Sequence, residues 1–167
     1  MQVAMNNADA PISITPYQAA DAVCIRGILE RIGWDERYVR AFEQAAERFA
    51  RSGDAAVFIA RRPAGAAGFI FVEFRAWNRL AQIQGLAVDP ASQRKGIASE
   101  LTARAEAFAR GMGARGIYVD TPVDNDRGRR FYEAAGYRTG YVMPRYYGDA
   151  QDGVTYQKFF DEKDSAG

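Results

Sequence analysis

The chain has 167 residues, with 22 Lys and Arg against 21 Asp and Glu and a net charge of +1; that balance lacks the basic excess on which nucleic-acid binding leans. It holds no histidine and one cysteine, which excludes histidine triads, histidine metal sites, internal disulfides and cysteine-rich metal centres. At 48% apolar residues it can bury the core of one domain, and no apolar run is long enough to span a membrane.

Met1 to Ala10 is polar and uncharged before Asp9, which predicts a loose tail rather than a signal peptide. Residues 161–167 are expected to form a second tail, and 11–160 a single domain. Ile12 to Thr15 alternates like a strand that Pro16 ends. Tyr17 to Ile32 reads as a helix with Val23, Ile28, Leu29 and Ile32 on its apolar side, stopped by Gly33. Cys24 lies among Ala22, Val23 and Ile25 and is expected to be a buried, inert thiol. A lone cysteine points to the cytoplasm. Trp34 to Arg37 is read as a connector. Tyr38, Phe42, Ala45 and Phe49 then mark a second helix.

Ala55 to Ala60 and Gly68 to Arg75 predict a hairpin across the Pro- and Gly-containing turn 61–65. Leu80 to Val88 is a fourth strand. Gly85 inside it marks a bulge or a close approach by backbone or ligand. Asp89 to Gly96 is a polar loop, and Ile97 to Met112 a helix with Ile97, Leu101, Phe108 and Met112 on one face. Ile117 to Asp120 is a short buried strand. Strand, helix, strand in this order predicts a right-handed crossover and two parallel strands. Asn125 and its neighbours cap a helix over 127–135. Tyr137 to Met143 and Val154 to Phe160 are the last strands, with Tyr146-Tyr147-Gly148-Asp149 in a long loop between them. The fold class is α/β: one mixed, mostly antiparallel sheet of about seven strands with about four helices.

The loop Gln93-Arg94-Lys95-Gly96 can hold a phosphate. Backbone N–H groups ahead of a helix have no helical partner, Gly96 admits close approach of the backbone, and Arg94 and Lys95 add positive charge. An ordinary strand-to-helix turn explains the same residues.

Three features in order resemble the GNAT superfamily of N-acetyltransferases. Leu86 to Pro90 ends the fourth strand. Gln93-Arg94-Lys95-Gly96-Ile97-Ala98 fits the family's Gln/Arg-x-x-Gly-x-Gly/Ala loop. Asn125 to Tyr137 fits its Asn-x-x-Ala-x-x-Phe/Leu-Tyr-x-x-x-Gly-Phe/Tyr segment. Gly128 departs from the usual Ala, at a helix cost of about 1 kcal/mol.

The resemblance implies a fourth strand splayed from the fifth and acetyl-CoA as co-substrate. Gln93, Arg94, Lys95, Gly96, Ile97, Ala98 and Ser99 would hold its pyrophosphate. Leu86, Ala87 and Val88 would pair with the pantetheine as an added strand, and a main-chain N–H at Ala87 or Val88 would polarise the thioester carbonyl. Asn125, Gly128 and Tyr132 complete the cofactor set. Tyr132 stands at the family's proton-donor position. Gln82 stands where many relatives carry a Glu base. Asp120, five residues before Asn125, matches a Glu of ribosomal-protein alanine N-acetyltransferases and is the first choice as base. Trp34, Tyr38, Glu73 and Gln82 are acceptor-side candidates, and Arg127, Arg129 and Arg130 are candidates for the 3′-phosphate. The expected acceptor is a peptide N-terminus or a small amine, with no metal, membrane or nucleic-acid partner; a homodimer stays open. A catalytically silent acyl-CoA-binding domain and an unrelated α/β domain with a chance loop are the alternatives.

Overall fold

A computed structural model describes residues 10–161; the predicted tails fall, apart from Ala10 and Asp161, outside the described residues. The elements run β1 (Ser13–Pro16), α1 (Ala22–Ile32), α2 (Glu36–Arg51), β2 (Ala55–Arg62), β3 (Gly65–Arg75), β4 (Leu80–Val88), α3 (Ile97–Gly111), β5 (Gly116–Pro122), α4 (Asp126–Ala134), β6 (Arg138–Gly148) and β7 (Gln151–Phe159). The seven strands hydrogen-bond in the order β1-β2-β3-β4-β5-β7-β6. The expected parallel pair is β4 with β5, in register from Leu80↔Gly116 to Ile83↔Val119. That register ends at Ile83, while β4 runs on to Val88 and β5 to Pro122. The parallel pairing thus stops before the stretch Leu86 to Val88.

Among the described residues two compact units share the strands, 10–71 with 85–105, and 72–84 with 106–161. In the first, Ile25, Ile28 and Leu29 of α1 and Val39, Ala46 and Phe49 of α2 bury against Val57, Ile59, Phe69, Phe71 and Ala87. Phe71 takes Phe42, Phe49 and Phe69 edge-on, with centroids 5.1, 5.6 and 5.5 Å away, a geometry that adds about 0.5–1.5 kcal/mol per pair beyond area burial. In the second unit Tyr156 of β7 is fully buried, with Tyr132 of α4 stacked on it at 6.0 Å and Tyr137 edge-on to Tyr132 at 5.5 Å.

Several expectations shift. The first strand is Ser13–Pro16 rather than 12–15. The first helix begins at Ala22, after a 3-10 turn at Ala19–Asp21; Asp21 takes the Gln18 N–H at 2.8 Å and is held by Arg61 at 2.7 Å. Helical spacing puts Ile25, Ile28 and Leu29 on one, inward side and Val23, 74% exposed, on the other. Cys24 is half-buried, not buried. Gly33, with φ of 92°, closes α1 as predicted. The connector shortens because Asp35 caps α2 through the Arg37 N–H. Val39, not Tyr38, then enters the core. On α3 the inward stripe is Ile97, Leu101, Ala105 and Ala109, with Phe108 and Met112 only half-buried.

The largest correction concerns residues 144–149. They form no long loop: β6 continues to Gly148, which pairs with Gln151, and only Asp149 and Ala150 turn. Arg145, with φ of 57°, and a register shift between Met143 and Gly148 take up the irregularity. The Arg145 N–H donates to Asp152 at 2.8 Å, which secures the kink to the partner strand.

Candidate active site

In the first unit the site begins at the end of β4. The Asp89 N–H donates to Ala67 O at 2.8 Å, and the Asp89 carboxylate takes the Ala91 N–H at 3.0 Å and the Arg31 guanidinium at 2.5 Å. One carboxylate thus caps the short 3-10 turn Pro90–Ser92 and ties it to α1. The Gln93 amide donates to Val88 O at 3.3 Å. Gly68 makes room beside the strand, because a Cβ there would stand 2.8 Å from Ala87 O and 3.3 Å from Ile97 Cγ2.

The loop then turns through two left-handed residues, Arg94 (φ 63°) and Gly96 (φ 78°). Arg94, Lys95 and Gly96 are exposed. Arg94 and Lys95 form no ion pair among the described residues. A side chain at Gly96 would meet nothing within 4 Å, so the space over it is open. Ile97 is buried under the helix start, and the first helical bond runs from the Glu100 N–H to Gly96 O. The N–H groups of the first turn lack helical partners. Loop and helix start can therefore present main-chain donors and two cations to an anion.

Gly85 has a simpler reason than a bulge or a ligand. Its missing Cβ would overlap the Phe42 ring of α2. The close approach expected there is made by a side chain of the core. Also in this unit, Trp34 and Tyr38 are partly exposed and meet edge-on at 6.2 Å, with Phe42 behind Trp34 at 5.4 Å.

In the second unit sheet register assembles a polar patch. Gln82 pairs with Tyr118, and Asp120 pairs with Thr155. Tyr118 and Asp120, two apart on β5, point to one face. Asp120 Oδ1 accepts from the Thr155 hydroxyl at 2.6 Å, and Oδ2 accepts from Gln82 Nε2 and the Tyr146 hydroxyl, each at 3.3 Å. Among the described residues no Lys or Arg pairs with Asp120. Gln82 Oε1 accepts from Arg75 at 2.9 Å, from the Tyr118 hydroxyl at 3.0 Å and from Gln84 at 3.1 Å. Glu73 is the ion-pair partner of Arg75 at 3.2 Å. Tyr146 comes close over β7 because residue 153 is glycine; a Cβ there would stand 3.0 Å from Tyr146 Cβ. Burial pushes the Tyr118 and Tyr146 phenols up, and the Asp120 charge pushes both the same way.

Tyr132 is 6% exposed on α4, and burial alone pushes its phenol up. Its hydroxyl makes no hydrogen bond among the described residues, and it is not one of their fully enclosed, unpartnered polar atoms. Asn125 caps the same helix: its Oδ1 accepts from the Gly128 N–H at 3.1 Å and its Nδ2 donates to Thr121 at 2.9 Å. A Cβ on residue 128 would overlap the Asn125 amide, so Gly128 accommodates the cap. Arg129 is engaged with Tyr156 at 3.0 Å and with Val123 O at 2.8 Å, which leaves it poorly placed for a 3′-phosphate.

The structure therefore gathers Leu86, Ala87, Val88, the loop and the α3 start within one unit. It gathers Glu73, Gln82, Asp120, Asn125, Gly128 and Tyr132 within the other. Sequence reading missed Arg31, Arg75, Tyr118 and Thr155. The two-residue spacing of Tyr118 and Asp120 was the available signal; the others depend on pairing across strands or elements.

The sequence model of the Acetyltransferase (GNAT) family matches residues 24–137, more than half of the chain. A GNAT-family protein from Desulfovibrio desulfuricans superposes with a TM-score of 0.82 at 20% identity, over 89% of this chain and 99% of its own. The ribosomal-protein-S18-alanine N-acetyltransferase of Escherichia coli gives 0.74 at 16% identity, over 94% and 99%. YncA of Salmonella typhimurium, solved with its cofactor acetyl-CoA, gives 0.69 at 18% identity, over 93% and 98%. No curated protein matches the sequence.

Proposed function

The chain belongs to the GNAT family of acetyltransferases, and from that premise we propose that it is an acetyl-CoA-dependent N-acetyltransferase acting on a primary amine, a peptide N-terminus or a small molecule, by direct attack. The acetyltransferase domain is residues 11–160. The observation that carries the proposal is the loop after β4. Its exposed Arg94 and Lys95 have no ion-pair partner among the described residues, beside the open space over Gly96. A pyrophosphate fits this donor set, and Leu86 to Val88, beyond the last residue paired with β5, have main-chain groups for the pantetheine.

The chemistry must take protons off the amine and put one on the leaving sulfur. A lysine-like amine, with a reference pKa of ~10.4, is almost wholly protonated at neutral pH. Asp120 removes that proton, directly or through one water. The nitrogen then forms the C–N bond as the C–S bond breaks, with the carbonyl oxygen polarised by the N–H of Ala87 or Val88. The departing sulfur, a thiolate of pKa ~8.5, takes the Tyr132 proton, and the second proton, shed by the nitrogen as the amide forms, restores the Tyr132 phenol. The unbonded Tyr132 hydroxyl supports this role, since it has a proton to donate and no competing acceptor among the described residues. The phenol's raised pKa keeps the donor charged with its proton at neutral pH. Glu73, Trp34 and Tyr38 belong on the acceptor side. No helix of the described residues is long and apolar enough to cross a membrane, and the single cysteine favours the cytoplasm.

An acyl-CoA sensor without activity is the second reading, favoured by Gln82 where many relatives have a carboxylate. Release of free thiol from acetyl-CoA, followed with a peptide, a polyamine and an aminoglycoside, separates the two. Turnover of any amine supports the enzyme; tight binding with no turnover by any amine supports the sensor.

A further inference from the structure

Resting on the reading of Asp120 as the base, we propose that Gln82 is a positioning residue for that base, and that its neutrality is what allows a carboxylate to work from β5. The argument starts with the orientation of one amide. Gln82 Oε1 accepts from Arg75 at 2.9 Å, Tyr118 at 3.0 Å and Gln84 at 3.1 Å. Turning the amide over would set its NH₂ against the Arg75 guanidinium, two donors facing each other. Nε2 is therefore committed to Asp120 Oδ2, at 3.3 Å. Arg75 is itself anchored by Glu73, so the contacts run Glu73–Arg75–Gln82–Asp120 from β3 through β4 to β5.

The amide separates the guanidinium from the carboxylate. Among the described residues Asp120 receives neutral donors only, from Gln82, Tyr146 and Thr155. It is held in one orientation while its charge stays uncancelled. A Glu at position 82 would keep the contacts to Arg75 and Tyr118 but bring its second oxygen to where Nε2 now stands. Two carboxylates so close cannot both ionise freely and would titrate as a coupled pair. Amide on β4 and carboxylate on β5 are thus one joint choice.

The other titratable or charged groups facing Asp120 are Tyr118 on its own strand, Tyr146 on β6 and, through Gln82, Arg75 and Glu73; Tyr141 acts on the two phenols. The Tyr118 and Tyr146 phenols, raised from 10.0, stay neutral through the pH range of the test.

The test follows the Asp120 carboxyl carbon by NMR titration in the full chain, its signal identified by its loss in Asp120→Asn. The acidic limb of kcat/KM is followed in parallel, with whichever of an alanyl peptide, a polyamine and an aminoglycoside turns over fastest. Gln82→Glu is expected to move both upward by about one pH unit or more, and Gln82→Met, which removes the donor to the carboxylate together with the acceptor of Arg75, Tyr118 and Gln84, is expected to move both upward by less. If Gln82→Glu fails to fold, Gln82→Met carries the test alone. A titration midpoint unchanged from wild type in every folded variant overturns the proposal. A midpoint that moves while the kinetic limb stays put overturns the catalytic role and places the fault in the assignment of Asp120 as base, not in the Gln82 contact.

Discussion

Residues 93–96 carry two exposed cations with no ion-pair partner among the described residues, over open space at Gly96, whereas the carboxylate of Asp120 already receives three neutral donors. The first region is built from backbone and short-range signals, and its two cations are exposed. The second is built from side chains brought together by strand register, and its donors are spent on holding one group still. Binding a charged, many-atom co-substrate asks for the former arrangement, and moving a single proton asks for the latter.

The largest expected effect lies with Tyr132. Replacing it by Phe should lower kcat by ~10²-fold or more with little change in acetyl-CoA affinity, because the ring stacked on Tyr156 remains. A mutant with unchanged kcat would take the phenol out of the chemistry. Next comes the frame of the backbone-built region. Gly85→Ala should destabilise by about 1–3 kcal/mol, since the methyl overlaps the Phe42 ring. Phe42→Leu in the same chain should recover part of that loss in thermal melts; additive losses would mean the glycine serves something else.

The charge of the loop comes third. Arg94→Gln with Lys95→Gln should weaken acetyl-CoA binding about tenfold at low salt and by less at high salt, as for a screened contact with phosphate. Affinity insensitive to both the substitutions and salt would sever the loop from the ligand. The smallest effect is on alkaline stability. Tyr132 and Tyr137 both have phenols raised by burial above the ordinary 10.0. Unfolded, they would ionise above about pH 10; folded, they would not. Their contribution is thus complete below pH 10 and lost as pH climbs toward the folded values. Denaturant midpoints should fall above pH 10, less steeply in Tyr132→Phe.

What could be read from sequence divides along the same line. The limits of β4, the loop with Gly96 and the Asn125 cap depend on residues within a few positions of one another, and they stand where expected. Val23 was misjudged, because at 3.6 residues per turn it lies on the side of α1 opposite Ile25 and Leu29. The long loop predicted between Met143 and Val154 is strand except at Asp149 and Ala150, because pairing with β7 outweighs Pro144 and Gly148 locally. Gly85 pointed to a close approach, but only the packing of α2 reveals that Phe42 makes it. The Asp120 patch draws on four strands, and its members are neighbours only through a register that no local spacing encodes.

Calorimetric titration of the full chain with acetyl-CoA bears most directly on the central claim that the loop after β4 grips the diphosphate. We predict saturable binding with a Kd below about 1 mM, equivalent to more than about 4 kcal/mol, weakened in the Arg94→Gln, Lys95→Gln chain. Absence of heat and of saturation at millimolar acetyl-CoA would contradict the account.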